Sequence, residues 1–274
     1  MKTAMRFGLM TLGMLMLLTS PGHAEDTGCT LIVDFKSSEI IYEDGDCNKR
    51  FGAQSTFKIP LAIMGFDSGI LKNENTPSWP YKKSYDATRS EEREATTPTR
   101  WEKESVVWFS QKLTRQMGLD KFRNYVNRFN YGNMDITGDA GKNNGLTNAW
   151  LSSSLKISPI EQVGFIRKLL RHELHASKHA HMMTISIIPT FNAGEWIVHG
   201  KTGSGFKRHE NGALNRDMQE GWFVGWAERD NRKVIFAKFV EDKIKTDGYA
   251  GPRARDALLK ALPAMIRKDE FNKH

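Results

Sequence analysis

Apolar residues 7–18 follow Lys2 and Arg6 and give way to Gly22-His23-Ala24 before Glu25. A basic start, an apolar stretch of about a dozen residues and small residues three and one before a break make the three-part pattern of a secretory signal peptide. The stretch is shorter than the roughly 20 residues a membrane span requires. Residues 1–24 are therefore expected to be a leader cleaved on export. That leaves one domain over 25–274, in the periplasm or outside the cell and without a stable membrane anchor.

Further along, the period of the pattern separates strands from helices. Residues 30–35 and 39–42 read as two strands around a Lys36-Ser37-Ser38 turn. Residues 55–66 read as a buried helix with Pro60 tolerated in its first turns. Residues 101–117 form a second helical run and 120–129 a third, whereas 131–148, rich in Gly, Asn and Asp, read as a long loop. Ser158-Pro159 opens an amphipathic helix that runs to Leu170. From Glu195 the period changes to that of strands, at 196–203, 221–228 and 233–240, the last two joined by Arg229-Asp230-Asn231-Arg232. Pro252 starts a closing helix with Leu258, Leu259, Leu262, Met265 and Ile266 on one face. Strands at both ends with helices between predict an α/β (α+β) fold. One antiparallel sheet is built from both termini around an inserted helical lobe, and the cleft between the lobes is the default site.

Composition changes this picture little. With 39% hydrophobic and 26% charged residues in 274, the chain has the make-up of a globular protein, which excludes wholesale disorder. The net charge of +8 is spread in short clusters such as Lys82-Lys83, which reads as a solvated basic face and not as a nucleic-acid surface. The two cysteines, Cys29 and Cys47, are compatible with a bridge in an oxidising compartment or with two buried thiols. His172 and His175 have i, i+3 spacing, unlike the H-E-x-x-H helix of zinc enzymes. His175, His179 and His181 lack a further ligand type, so this segment is expected to be solvated and metal-free. Trp222 and Trp226, four apart in a strand, share a face and read as packing residues.

Candidate chemistry is concentrated in three short elements. Ser55-Thr56-Phe57-Lys58 is an S-x-x-K at a helix start, where serine and lysine lie on one face. A serine hydroxyl is a poor nucleophile until a base takes its proton. The helix N-terminus also offers a backbone N–H to a developing oxyanion. Taken alone, the motif fits an N-cap serine and a solvated lysine equally well. Ser105-Val106-Val107 and Lys201-Thr202-Gly203 follow at wide spacing, and the three in this order form a strong signal. S-x-x-K, S-D-N and K-T-G mark class A β-lactamases and penicillin-binding proteins, but here the middle element is S-x-V.

Over essentially all of 25–274 the chain resembles the class D, oxacillinase-type serine β-lactamases. The resemblance is carried by S-T-F-K at 55–58, S-V-V at 105–107 and Tyr131-Gly132-Asn133. Trp150-Leu151 with the following 153–158, K-T-G at 201–203 and the Gly-Trp-Phe-Val-Gly-Trp of 221–226 complete it, with no departure at a motif position. It implies the β-lactamase/transpeptidase-like fold and hydrolysis of penicillin-type β-lactams, hence antibiotic resistance. Ser55 is then the nucleophile that becomes the acyl-ester, and Lys58, carboxylated by CO₂, the general base of acylation and deacylation. The resemblance further implies that Ser105 relays a proton to the leaving nitrogen and that the N–H groups of Ser55 and Ser204 form the oxyanion hole. Lys201, Thr202 and Arg253 then hold the substrate carboxylate, with Arg255 two residues on from Arg253, and Gly203 and Ser204 complete the substrate-binding residues. No metal or organic cofactor is implied, only CO₂ or bicarbonate. The rival readings are a penicillin-binding D-Ala-D-Ala peptidase and a non-hydrolytic β-lactam sensor.

The carboxylated lysine also makes physical sense. With a pKa of about 10.4, only about one lysine in a thousand is uncharged near pH 7 and able to attack CO₂. Burial lowers that pKa, and Phe57, Val107, Trp150 and Leu151 are candidate walls of such a pocket. The indole N–H of Trp150 is a candidate donor to the resulting anion.

Overall fold

The computed structural model describes residues 28–272, so the leader reading for 1–24 lies outside the described residues. Two strands, β1 (Cys29–Asp34) and β2 (Ile40–Gly45), form the expected opening hairpin, and β3 (Phe51–Gly52) leads toward the first helix. The helical lobe comprises α1 (Lys58–Asp67), α2 (Pro98–Glu104), α3 (Val107–Met117), α4 (Leu119–Arg128) and the short α5 (Gly145–Asn148). Strand β4 (Lys156–Ile157) pairs with β3, and α6 (Pro159–Leu170) and α7 (Lys178–Ile187) follow. The chain closes with β5 (Thr190–Ala193), β6 (Trp196–Arg208), β7 (Leu214–Arg229), β8 (Arg232–Glu241) and α8 (Ala250–Asn272). The main sheet has the order β2-β1-β8-β7-β6-β5 with every pair antiparallel. Both ends of the chain build it, as expected.

The sheet is covered on both faces, and the two-residue period of its strands sorts the side chains. Leu31, Val33, Trp222, Val224, Trp226, Ile235, Ala237 and Phe239 join the core of the helical lobe. Their alternates Ile32, Phe223, Ala227, Val234 and Phe236 pack with Leu258, Leu262 and Ile266 of α8 on the other face. Trp222 and Trp226 are packing residues, as their spacing indicates. Cys29 and Cys47 are bridged, with Cα atoms 5.2 Å apart, which ties β1 to the chain just beyond β2.

Helix α1 is buried all round, from Lys58 through Phe66, which makes it the axle of the lobe. Helix α6 begins with a full capping box between Ser158 and Glu161. The single helix expected over 101–117 is in fact two. Ser105 stands in the left-handed region at φ 58°, Val106 is extended, and the chain restarts as α3. Neither glycine nor proline announces this break in the pattern. The segment expected to be solvated around the histidines instead yields α7, with Ala180, His181, Thr184 and Ile187 buried and His181 Nδ1 2.9 Å from the Ser177 carbonyl. Polar residues mask that stripe in the sequence. Likewise β6 and β7 run on past the core as a ladder to Arg208 and from Leu214, where no buried face imposes alternation. Among the described residues no helix is long and apolar enough to cross a membrane.

Candidate active site

Ser55 lies in a 3₁₀ turn, Gln54–Phe57, that feeds directly into α1. Lys58 is therefore the first residue of the helix, and its Nζ lies 3.2 Å from Ser55 Oγ. The turn is braced from the 150–155 segment. Gln54 takes the left-handed conformation at φ 51°. Its N–H donates to the Trp150 carbonyl at 2.8 Å, and its amide side chain exchanges two hydrogen bonds with Ser152. Thr56, one residue past the serine, accepts from Gln162 Nε2 of α6 at 2.8 Å. These bonds hold the serine at the tip of a rigid turn at the base of the cleft.

Lys58 is completely buried. Phe57 stacks on Trp150 at 5.3 Å and meets Phe122 and Tyr131 edge-on, so the lysine starts its helix beside an aromatic cluster. Burial drives its pKa down to about 7, nearby Lys201 pushes the same way, and Glu102 pulls back.

From the opposite wall, Lys201 of β6 donates to Ser105 Oγ at 3.0 Å and to the Thr202 carbonyl at 3.1 Å. It too is buried, and burial lowers its pKa to about 8 against the pull of Glu102. Gly203 explains itself by proximity: a Cβ there would sit 3.1 Å from the Ser55 nitrogen. The glycine of K-T-G lets β6 close onto the nucleophile's turn. Ser204 Oγ accepts from the Gly251 N–H at 2.9 Å, tying α8 to the strand. Ser55, Ser105, Val107, Thr202 and Ser204 line a cleft of about 200 Å³ that Arg89 and Tyr249 complete. Beyond Lys201 and Thr202 lies a second pocket of about 360 Å³, walled by Gly200, Phe191 and Arg255.

The structure thus brings together Ser55, Lys58, Ser105, Lys201, Thr202, Gly203 and Ser204. Phe57 and Trp150 are both buried and stacked on each other. Val107 instead lines the open cleft, with Val106 buried behind it, and Leu151 is half-buried at the core's edge. Arg253 lines neither of these two pockets. Its Nη2 bonds both carboxylate oxygens of Asp242, at 2.8 and 2.9 Å, whereas Arg255, with its Nε on Asp256 at 2.8 Å, lines the second pocket together with Lys201 and Thr202. Sequence reading missed Gln54, Arg89 and Glu102. Gln54 adjoins the motif and could have been flagged. Glu102 sits in Trp101-Glu102-Lys103-Glu104, which reads as a charged helix surface, yet it is fully buried.

A family model described as the penicillin binding protein transpeptidase domain matches residues 27–263. Beta-lactamase OXA-9 of Klebsiella pneumoniae is 46% identical over 246 residues, which cover 89% of this chain and 90% of that protein. Beta-lactamase OXA-1 of Escherichia coli is 37% identical over 243 residues, 87% of this chain and 84% of that one. The crystal structure of the OXA-427 class D beta-lactamase superposes with a TM-score of 0.82 at 44% identity, covering 89% of this chain and all of that chain (100%). The chain belongs to the penicillin-binding transpeptidase family and, within it, to the class D, oxacillinase-type serine β-lactamases. It is a β-lactam hydrolase.

Proposed function

We propose that this enzyme opens the ring of penicillin-type β-lactams through an acyl-ester on Ser55, with carboxylated Lys58 as general base, and so confers resistance on the cell that exports it. The observation that carries the reading is the pair at the base of the cleft: Ser55 Oγ 3.2 Å from a fully buried lysine whose pKa is lowered to about 7. An ammonium has no lone pair with which to accept the serine proton. The residues present fit a carboxyl group on Lys58. Burial frees a large fraction of the amine near pH 7, and Trp150 Nε1 is a buried donor without an acceptor. A buried donor left unpaired costs about 1–3 kcal/mol, which an anion on the lysine would offset. When bound, the carboxyl group supplies an anionic oxygen able to take a proton from the serine and later from the hydrolytic water.

The remaining roles fall to the chain's own groups. The backbone N–H groups of Ser55 and Ser204 stabilise the oxyanion. Ser105, held by Lys201 at 3.0 Å, passes a proton to the leaving nitrogen. Lys201, Thr202 and Arg255, which share one wall, receive the substrate carboxylate. We place the mature protein in the periplasm, a reading supported by the leader pattern and by the Cys29–Cys47 bridge, which suits an oxidising compartment. Mixing the enzyme with a chromogenic cephalosporin or a penicillin tests the function. Many turnovers per enzyme are expected, whereas a single stoichiometric burst would mark a penicillin-binding peptidase or a sensor.

A further inference from the structure

Lys201 is a buried ammonium whose two hydrogen bonds go to neutral oxygens, Ser105 Oγ and the Thr202 carbonyl. A charge so placed is costly without an opposite charge near it. Glu102 answers that description. It lies in the last turn of α2, three residues before the serine that Lys201 contacts, and is completely buried. Neither of its carboxylate oxygens has a hydrogen-bond partner. Burial raises its pKa to about 7, against the pull of Lys201 and, more weakly, of Lys58.

The other charges around this cluster have different partners. Arg89 is paired with Glu92 at 2.6 Å, and Arg100 with Glu94 at 2.9 Å. Glu104, also on α2, acts on Lys201 more weakly than Glu102 does. Lys103 of α2 lines the second pocket, Lys112 of α3 lies over the Trp79 ring at 4.5 Å, and Arg115 stands in the last turn of α3. His181, the buried titratable residue of α7, is engaged with the Ser177 carbonyl and stands 5.1 Å from the His172 ring.

We propose that Glu102 is the buried counter-anion that keeps Lys201 protonated, and with it the cation that receives the substrate carboxylate. Glu102 touches no reacting atom and is a positioning residue acting through Lys201. The inference rests on the reading that Lys201 binds that carboxylate. The sign is simple. An anion favours the protonated form of a neighbouring amine, so removing it lets Lys201 lose its proton at lower pH. The effect is present only where Glu102 is ionised, above about pH 7, and vanishes in more acid solution.

The test compares the whole enzyme with Glu102→Gln and with Glu102→Met, which removes the charge without burying an amide that lacks partners. The NMR signal of the Lys201 side chain, assigned by its loss in Lys201→Ala, is titrated in each. Both variants should titrate about one pH unit lower or more, a tenfold change in the ratio of charged to neutral lysine. Above about pH 8 their KM for benzylpenicillin should rise roughly tenfold with a smaller change in kcat, while KM for its methyl ester stays put. At about pH 6 the difference should close. An unchanged Lys201 titration in both variants overturns the inference. A shifted titration with an unchanged KM for the acid upholds the counter-anion and contradicts the carboxylate role of Lys201.

Discussion

Two buried lysines stand behind the serines of one cleft, Lys58 at Ser55 and Lys201 at Ser105, and their surroundings differ. Lys58 opens α1 beside the stacked rings of Phe57 and Trp150 and has one oxygen, Ser55 Oγ, within 3.2 Å. Lys201 stands on β6 with two oxygen acceptors near 3 Å. Burial lowers both, to about 7 and about 8 respectively. The charge that acts most strongly on Lys58 is a cation, Lys201, whereas on Lys201 it is an anion, Glu102, which suits the proposed base and the proposed carboxylate-binding cation respectively. Identical side chains are thus suited to the opposite tasks proposed for them by the charges around them.

The comparison breaks most sharply at the reactive lysine. Lys58→Ala should cost on the order of 10³-fold in kcat, the scale of losing a positioned general base, whereas full turnover in steady-state kinetics would refute the division of labour. Lys201→Ala should act on binding instead. Losing one charge-assisted hydrogen bond of about 1.5–3 kcal/mol predicts roughly a 10–100-fold fall in kcat/KM, most of it in KM. An equal loss with a carboxylate-free ester would put Lys201 elsewhere in the mechanism. A smaller effect sharpens the reactive side. Trp150→Phe keeps the ring and removes the N–H, so about tenfold more bicarbonate should be needed for half-maximal activity, as a bicarbonate titration would read. At limiting CO₂ the active fraction should fall as pH drops through about 7, because protonation converts the Lys58 amine to an ammonium that cannot attack CO₂. A pH profile flat from about 6 to 8 in decarbonated buffer would count against that pKa.

Much of this was readable in the residues. The hairpin, the buried helix after Ser55, the strands at 221–228 and 233–240 and the closing helix each impose a clear period, because each buries a defined face. The break at Ser105 was not readable. A left-handed serine costs about 1–3 kcal/mol and is held by tertiary packing, which leaves no local signature. The choice between Arg253 and Arg255 was not readable for a different reason. Two residues apart on a helix they point about 200° away from each other, and only the seating of α8 on the sheet decides which one meets the cleft. Glu102 was hidden because its neighbours, exposed Lys103 and half-buried Glu104, give the stretch the pattern of a solvated charged face, although Trp101 and Glu102 turn inward.

The most direct measurement is the ¹³C NMR spectrum of the whole enzyme in ¹³C-bicarbonate near neutral pH, recorded beside Lys58→Ala. A carbamate resonance that tracks activity as bicarbonate is added and withdrawn, and that disappears in the variant, is the expected result. Full turnover with no such resonance would contradict the account.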